Sequence, residues 1–319
     1  MKVGVIGAGA MGTALAQTIS ENTDVYLYAR REEVCMDINK NHVNSQYFPN
    51  VLLNDNIKAI SDYNHFKDAD IIFLCVPSST VRGILVELND LIETECIFIS
   101  TAKGIEKDTN KRMTEIIEEI IHRPAVAFSG PNIASEMVKN LPASTTIACR
   151  DENYLNQVKN VLTTDTFKVN ANTDVIGTEF CGIIKNVIAI SQGICKGMQV
   201  NNNAKFTVFT KSYNETKDII EKLGGRRETV DDYCGFGDIV TASTLTVSRN
   251  HTLGVLYGQR IVIDEKSSGV LFEGKNTTII LKNLFDQLDV KSLTVNFVYD
   301  VIINRQLPTS AFKRLWDLL

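Results

Sequence analysis

The sequence predicts an α/β protein: a doubly wound, mostly parallel sheet, followed by a mostly α-helical second domain. Three observations predict it. Short, unalternating apolar runs alternate with helical stretches through the first half. The first run leads straight into a glycine-rich turn. Beyond about Val175 the strand-like runs nearly vanish and the pattern becomes helical.

The elements follow in order. Val3 to Ile6 is a short apolar strand, Thr13 to Ser20 is helical, and Val25 to Tyr28 is a second strand. Ile71 to Val76 is a continuous apolar run stopped by Pro77, and Cys96 to Ser100 is another. Val126 to Phe128 and Thr145 to Ala148 complete the strands. A strand that is apolar on both sides needs cover on both faces, which helices on a parallel sheet provide. The later helical stretches are Thr178 to Met198, Ala204 to Leu223, Gly237 to Tyr257, Gly274 to Leu288 and Val295 to Ile303. The boundary falls near Lys168, giving domains 1–168 and 169–319. At 319 residues the chain suits two cores better than one.

Composition narrows the function classes. With 44% hydrophobic and 22% charged residues the chain is globular, not disordered. A net charge of −5 argues against general nucleic-acid binding. No apolar run reaches the roughly 18 residues that span a bilayer. A secretory signal is not expected, since it would need a longer apolar stretch than Met1 to Ile6 and a small-residue cleavage site. The seven cysteines are scattered and never form C-x-x-C, and the four histidines lack metal spacing. Free thiols, no metal and a cytoplasmic location are therefore expected.

The glycine turn Gly7-x-Gly9-x-x-Gly12 sits between the first strand and the first helix, the context a dinucleotide site needs. Gly7 allows the tight turn, Gly9 lets a pyrophosphate approach the backbone, and Gly12 lets helix and strand pack closely. The first domain is thus predicted to be Rossmann-type, with the pyrophosphate at the helix N-terminus. An acidic residue at the end of the second strand would bind the ribose hydroxyls of NAD. Here the strand ends Tyr28-Ala29-Arg30-Arg31. Arg30 or Arg31 would stack on adenine or pair with a 2′-phosphate; the alternative is a solvated pair neutralised by Glu32 and Glu33. The preference between NAD and NADP stays open.

The second half carries candidate chemistry. Lys185-Asn186 interrupts a helix that is otherwise apolar nearly all round. A buried ammonium is costly unless paired, and burial lowers a lysine pKa toward the range useful for proton transfer. Lys185 is therefore a candidate general acid/base; the alternatives are a lysine reaching solvent or pairing with Glu179. Lys103 follows a strand at the end that faces the ligand crevice in open α/β sheets. Gly237-Asp238 enters a helix, where Asp238 is a candidate site carboxylate or only a helix-start residue. Arg249, in Ser248-Arg249-Asn250, can grip a phosphate through two parallel bonds; the alternative is a solvated helix arginine. Gly130-Pro131-Asn132 is a turn able to present N–H groups to a substrate.

Taken in order, these segments resemble one family. Gly7-x-Gly9-x-x-Gly12, Val76-Pro77-Ser78, Ala102-Lys103-Gly104, Ser129-Gly130-Pro131-Asn132-Ile133-Ala134, Ile184-Lys185-Asn186, Gly237-Asp238, Ser248-Arg249-Asn250 and Phe272-Glu273-Gly274 resemble NAD(P)-dependent sn-glycerol-3-phosphate dehydrogenase, over nearly the whole chain. The resemblance implies an active site between the two domains and reversible reduction of dihydroxyacetone phosphate, feeding glycerophospholipid synthesis. It implies that Lys185 donates and accepts the proton. Lys103 would hold the reacting oxygens near the nicotinamide, and Asp238 would orient the lysine or substrate. Ser248, Arg249 and Asn250 would bind the phosphate, with Arg249 also near the cofactor. Gly130, Asn132 and Asn186 would touch substrate, and Ala10, Met11, Arg30, Arg31, Ala134 and Glu273 would line the cofactor. The expected partners are this phosphorylated substrate and a second copy of the chain, with no nucleic acid and no membrane span.

The chain departs from the family pattern in places. Ala242 stands four residues after Asp238 where a threonine is usual, and His251 follows Ser-Arg-Asn where an arginine is frequent. Thr207 to Tyr233 is unusually polar, and Asn201 to Lys205 lacks the usual preceding glycines. Two other readings compete: a related dehydrogenase for another small phosphorylated or hydroxy-acid substrate, and a sensor that binds NAD(P) without turnover. The Ser-Arg-Asn segment favours a phosphate over the first. Retention of Lys103, Lys185 and Asp238 together argues against the second.

Overall fold

The computed structural model describes residues 1–245, 248–261 and 273–319. The chain forms two compact units: Met1–Glu106 with Lys111–Val175, and Lys107–Asn110 with Ile176–Leu319.

The first unit is built on an eight-stranded sheet. Its strands are β1 Val3–Ile6, β2 Val25–Tyr28, β3 Ile57–Ile60, β4 Ile71–Leu74, β5 Ile97–Ser100, β6 Val126–Ser129, β7 Ala143–Ala148 and β8 Phe167–Asn172. Their order is β3-β2-β1-β4-β5-β6-β7-β8, parallel throughout except where β6 meets β7. The helices are α1 Ala10–Ile19, α2 Glu32–Asn41, α3 Val81–Asn89, α4 Met113–Ile121, α5 Ala134–Met137 and α6 Glu152–Leu162. The strands are apolar because both faces are covered. Ile71 and Phe73 of β4 join one buried cluster, Ile72 and Leu74 the other. Strand order reverses at β1, which pairs with β2 on one side and β4 on the other. That switch point opens the crevice at the carboxyl ends of the strands, and the glycine turn lies there.

The second unit is helical: α7 Val175–Gly197, α8 Asn202–Lys222, α9 Asp238–Thr244, α10 Arg249–Gly258, α11 Glu273–Gln287, α12 Leu293–Ile302 and α13 Pro308–Asp317. Between α8 and α9 run a 3-10 turn, Arg227–Asp231, and a π-helical turn, Tyr233–Gly237. α7 and α10 touch backbone to backbone through two pairs of glycines. A Cβ added at Gly193 would lie 2.1 Å from the His251 carbonyl oxygen, and one at Gly254 2.2 Å from that of Ile190. One helical turn on, Gly197 faces Gly258 in the same way. This contact fixes α10 against the helix that carries Lys185. The buried carboxylate of Glu215 on α8 caps α12, accepting from Leu293 N at 2.5 Å, Thr294 N at 3.1 Å and Ser292 Oγ at 3.0 Å.

The structure differs from the sequence reading at several elements. β3 and β8, at the two edges of the sheet, were not expected. Edge strands meet water and need no continuous apolar run, and β8, Phe-Lys-Val-Asn-Ala-Asn, is half polar. β8 also continues past Lys168. The single stretch expected from Gly237 to Tyr257 is two helices: Leu245 is extended, with φ −84° and ψ 136°. Ser248 then caps a fresh start, its Oγ accepting from His251 N at 3.3 Å. α13 was also missed; a proline at its start supplies the fixed φ that a first helical turn accepts.

Candidate active site

In the first unit the turn does what its glycines allow. Gly7 has φ +111°, and a Cβ there would lie 2.5 Å from the Cys75 carbonyl oxygen. A Cβ on Gly12 would lie 1.8 Å from the Gly7 carbonyl oxygen. Above Gly9 nothing lies within 4 Å of such a Cβ. Backbone that is tight beneath and open above has the shape that a pyrophosphate cradle requires. α1 begins directly after it, with Gly9 as its N-cap and no side-chain cap. The first-turn N–H groups are thus left for an anion.

A groove of 660 Å³ runs from this turn past the end of β2, lined by Gly7, Gly9, Arg30, Arg31, Tyr47 and Tyr63 among others. The two arginines differ. Arg31 hydrogen-bonds Gln46 and lies 3.6 Å from Glu33. Arg30 is exposed and makes no ion pair or hydrogen bond among the described residues. The neutralisation weighed for the pair thus applies to Arg31 alone. Ala10, Met11 and Ala134 pack against the apolar cluster on one face of the sheet. Tyr28 and Tyr63 stack with centroids 4.2 Å apart at the edge of the groove.

Asn44 was missed by sequence reasoning. It is buried, and its Nδ2 donates to Ala8 O at 3.0 Å and to Thr13 Oγ1 at 2.8 Å. It braces the peptide between Ala8 and Gly9. A lone asparagine in a polar stretch carries no periodic signal, so nothing in the sequence marked it.

Lys103 sits in the loop after β5, and its Nζ donates to Gly130 O at 2.9 Å. The Gly130–Asn132 turn is held against β7. Asn132 Nδ2 donates to Ser144 O at 2.9 Å, and its Oδ1 accepts from Thr145 Oγ1 at 3.3 Å. The side chain of Asn132 therefore shapes the turn. The thiol of Cys75, just past β4, is pushed up to about 12 by burial, which removes it as a nucleophile at neutral pH.

In the second unit Lys185 pairs with Asp238, Nζ to Oδ1, at 2.7 Å. The lysine side chain is 15% exposed and the carboxylate 3%. Its partner is therefore Asp238, not Glu179, and it keeps a narrow outlet to solvent. Asp238 stands in the first turn of α9, where the helix dipole favours a carboxylate.

Asn186 is buried beside this pair and accepts from Asn250 Nδ2 at 3.0 Å. Asn250 Oδ1 in turn accepts from Gly274 N at 3.2 Å, which ties α7, α10 and the start of α11 together. Glu273 opens α11; Phe272 lies outside the described residues. Ser248 is the N-cap of α10 and Arg249 its first residue, exposed. The break between α9 and α10 thus puts Ser-Arg-Asn at a helix N-terminus, where backbone N–H groups add to the guanidinium as anion donors. Behind them His251 is 4% exposed. Burial, with Lys196 and Lys205 nearby, holds its ring below the ordinary histidine value, so it is neutral at pH 7.

Comparison with known proteins bears on both units. Residues 2–155 match the family model described as NAD-dependent glycerol-3-phosphate dehydrogenase N-terminus, and residues 174–313 match its C-terminus. A glycerol-3-phosphate dehydrogenase (NAD(P)+) of Clostridium botulinum (strain Eklund 17B / Type B) is 35% identical, covering 98% of this chain and 96% of its own. One from Corynebacterium diphtheriae is 36% identical, covering 94% and 93%. Among solved structures, the glycerol-3-phosphate dehydrogenase of Coxiella burnetii superposes with a TM-score of 0.91 at 26% identity, covering 99% of this chain and 98% of that one.

Proposed function

The chain belongs to the NAD-dependent glycerol-3-phosphate dehydrogenase family, and from that premise we propose how its own residues carry the reaction. It is an NAD(P)-dependent oxidoreductase acting on a CH–OH group, interconverting dihydroxyacetone phosphate and sn-glycerol 3-phosphate. The observation that carries the residue assignment is the Lys185–Asp238 pair, a single ammonium held by one buried carboxylate in an apolar helix.

Reducing a ketone needs a hydride, a proton and a counter-charge at the oxygen. The bound dihydronicotinamide supplies the hydride. Lys185 delivers the proton from Nζ to the carbonyl oxygen as negative charge develops there, and solvent reprotonates the amine. In the reverse direction the neutral amine takes the hydroxyl proton. Asp238 aims the ammonium. Lys103 adds a second cation toward the reacting oxygen. Arg249 and the N-terminus of α10 hold the phosphate, while Ser248 and Asn250 keep that N-terminus in place. The cradle above Gly9, the N-terminus of α1 and the exposed Arg30 suit the pyrophosphate and adenosine end of the cofactor. β2 ends in Tyr28-Ala29-Arg30 without the carboxylate that would select the ribose hydroxyls of NAD, so the cofactor is written NAD(P).

The proposal includes a homodimer and a cytoplasmic location. All seven cysteines are free, as in a reducing compartment. No helix among the described residues is long and apolar enough to cross a membrane.

Phosphate recognition is tested through Arg249. A charge-assisted hydrogen bond contributes about 1.5–3 kcal/mol, so Arg249→Ala is expected to raise the KM for dihydroxyacetone phosphate by about 10- to 100-fold. Weak turnover of unphosphorylated dihydroxyacetone should be unaffected. Steady-state kinetics with both ketones checks this; an unchanged KM for the phosphate ester would contradict the assignment.

A further inference from the structure

The loop between β5 and α4 carries Lys103 and is braced at both ends. At its root, Thr101 N and Oγ1 both donate to Leu74 O, at 3.2 and 3.0 Å. At its far end Glu106 N donates to Lys111 O at 2.9 Å, and Ile105 bridges Arg112. Gly104, next to Lys103, lies so close to the Ser78–Thr80 turn that an added Cβ would sit 2.5 Å from Ser78 Oγ. α3 follows directly from that turn, and its second residue is Arg82.

Arg82 grips Glu106 with two parallel bonds, Nε to Oε1 and Nη2 to Oε2, both 2.8 Å. Its Nη2 also donates to Glu119 Oε2 on α4 at 2.9 Å, an oxygen that Lys111 Nζ shares at 2.9 Å. Two cations and two carboxylates thus join α3, the loop and α4. Arg82 and Lys111 hold the Glu119 carboxyl down at about 2. Glu106 is three residues from Lys103.

We propose that Arg82 is a positioning residue for Lys103, acting through Glu106 to set where the Lys103 ammonium stands. This rests on the reading of Lys103 as the second cation at the reacting oxygen. The network is partly exposed, with Arg82 33% and Glu119 41% accessible. Pairs of this kind contribute only about 0–1 kcal/mol to folding. Their geometry matters more. A displacement of about 1 Å from the productive position can lower a rate by about 100-fold. A bidentate arginine–carboxylate fork fixes both distance and plane, which a single lysine bond does not.

A double-mutant cycle on kcat/KM for dihydroxyacetone phosphate tests this. Arg82→Ala is expected to lower kcat/KM about tenfold, with cofactor affinity and melting temperature nearly unchanged. Glu106→Gln should do the same, and Arg82→Lys should fall between. In a Lys103→Ala background the added Arg82→Ala change should have almost no effect. The same cycle on substrate dissociation constants, by calorimetry, reads the coupling where turnover is too slow. Full additivity, or wild-type kcat/KM in Arg82→Ala, would overturn the positioning role while leaving Lys103 in place. A Lys103→Ala enzyme with normal kcat/KM would instead overturn the reading of Lys103, and the proposal with it.

Discussion

Lys185→Ala is expected to lower kcat by about 10²- to 10⁴-fold while NAD(P)H binding persists, because it removes the proposed proton donor and acceptor. The glycine turn and the groove proposed for the cofactor lie in the first unit, which does not contain Lys185. The substitution also has a structural consequence. It leaves Asp238 only 3% exposed with its cation removed. Breaking a buried pair from one side destabilises by about 3–5 kcal/mol. Chemistry and folding must therefore be read apart. The double variant Lys185→Met/Asp238→Asn removes both charges and should recover most of the lost melting temperature, with turnover still absent. Near-normal rates in Lys185→Ala, or recovery of turnover in the neutral double variant, would remove Lys185 from the proton's path.

The glycine turn yields the second large effect, and two of its positions should separate. At Gly12 an added Cβ would lie 1.8 Å from backbone, which cannot yield without moving α1 off the sheet. Overpacking of this kind costs about 1–3 kcal/mol or more. Gly12→Ala should therefore lower the melting temperature and weaken NAD(P)H at least tenfold together. Gly9 has φ −78°, ordinary for alanine, and empty space where a Cβ would go. Gly9→Ala should keep the wild-type melting temperature yet weaken the cofactor by a similar factor, because the methyl group occupies the space the pyrophosphate needs. Melting curves and cofactor titrations on the two variants check this. Loss of stability at Gly9, or unchanged affinity there, would mean that the cradle is not where the cofactor lies.

Much of the fold is legible in the sequence. The inner strands were legible because burial on both faces leaves an unbroken apolar run, as in Ile71–Leu74. The edge strands β3 and β8 were not, because water at a sheet's edge permits Lys58 and Asn170. Lys185 stood out as a charge in an apolar helix, but its partner lies 53 residues away and only the fold brings Asp238 to it. The break between α9 and α10 was hidden because both helices have continuous helical patterning. Finding it changed the reading of Ser248-Arg249-Asn250 from a helix interior to a helix start. Asn44 and Arg82 act through contacts distant in sequence, and polar residues on loops and helix faces leave no pattern that would mark them.

The central claim is that this chain transfers a hydride between NAD(P)H and dihydroxyacetone phosphate. Following cofactor absorbance with the purified protein, in the presence of dihydroxyacetone phosphate and then of other small keto compounds, tests it directly. The account predicts cofactor oxidation with dihydroxyacetone phosphate, sn-glycerol 3-phosphate as product, and the reverse reduction from that product. Cofactor binding with no oxidation by dihydroxyacetone phosphate, or oxidation only by a different keto compound, would contradict it.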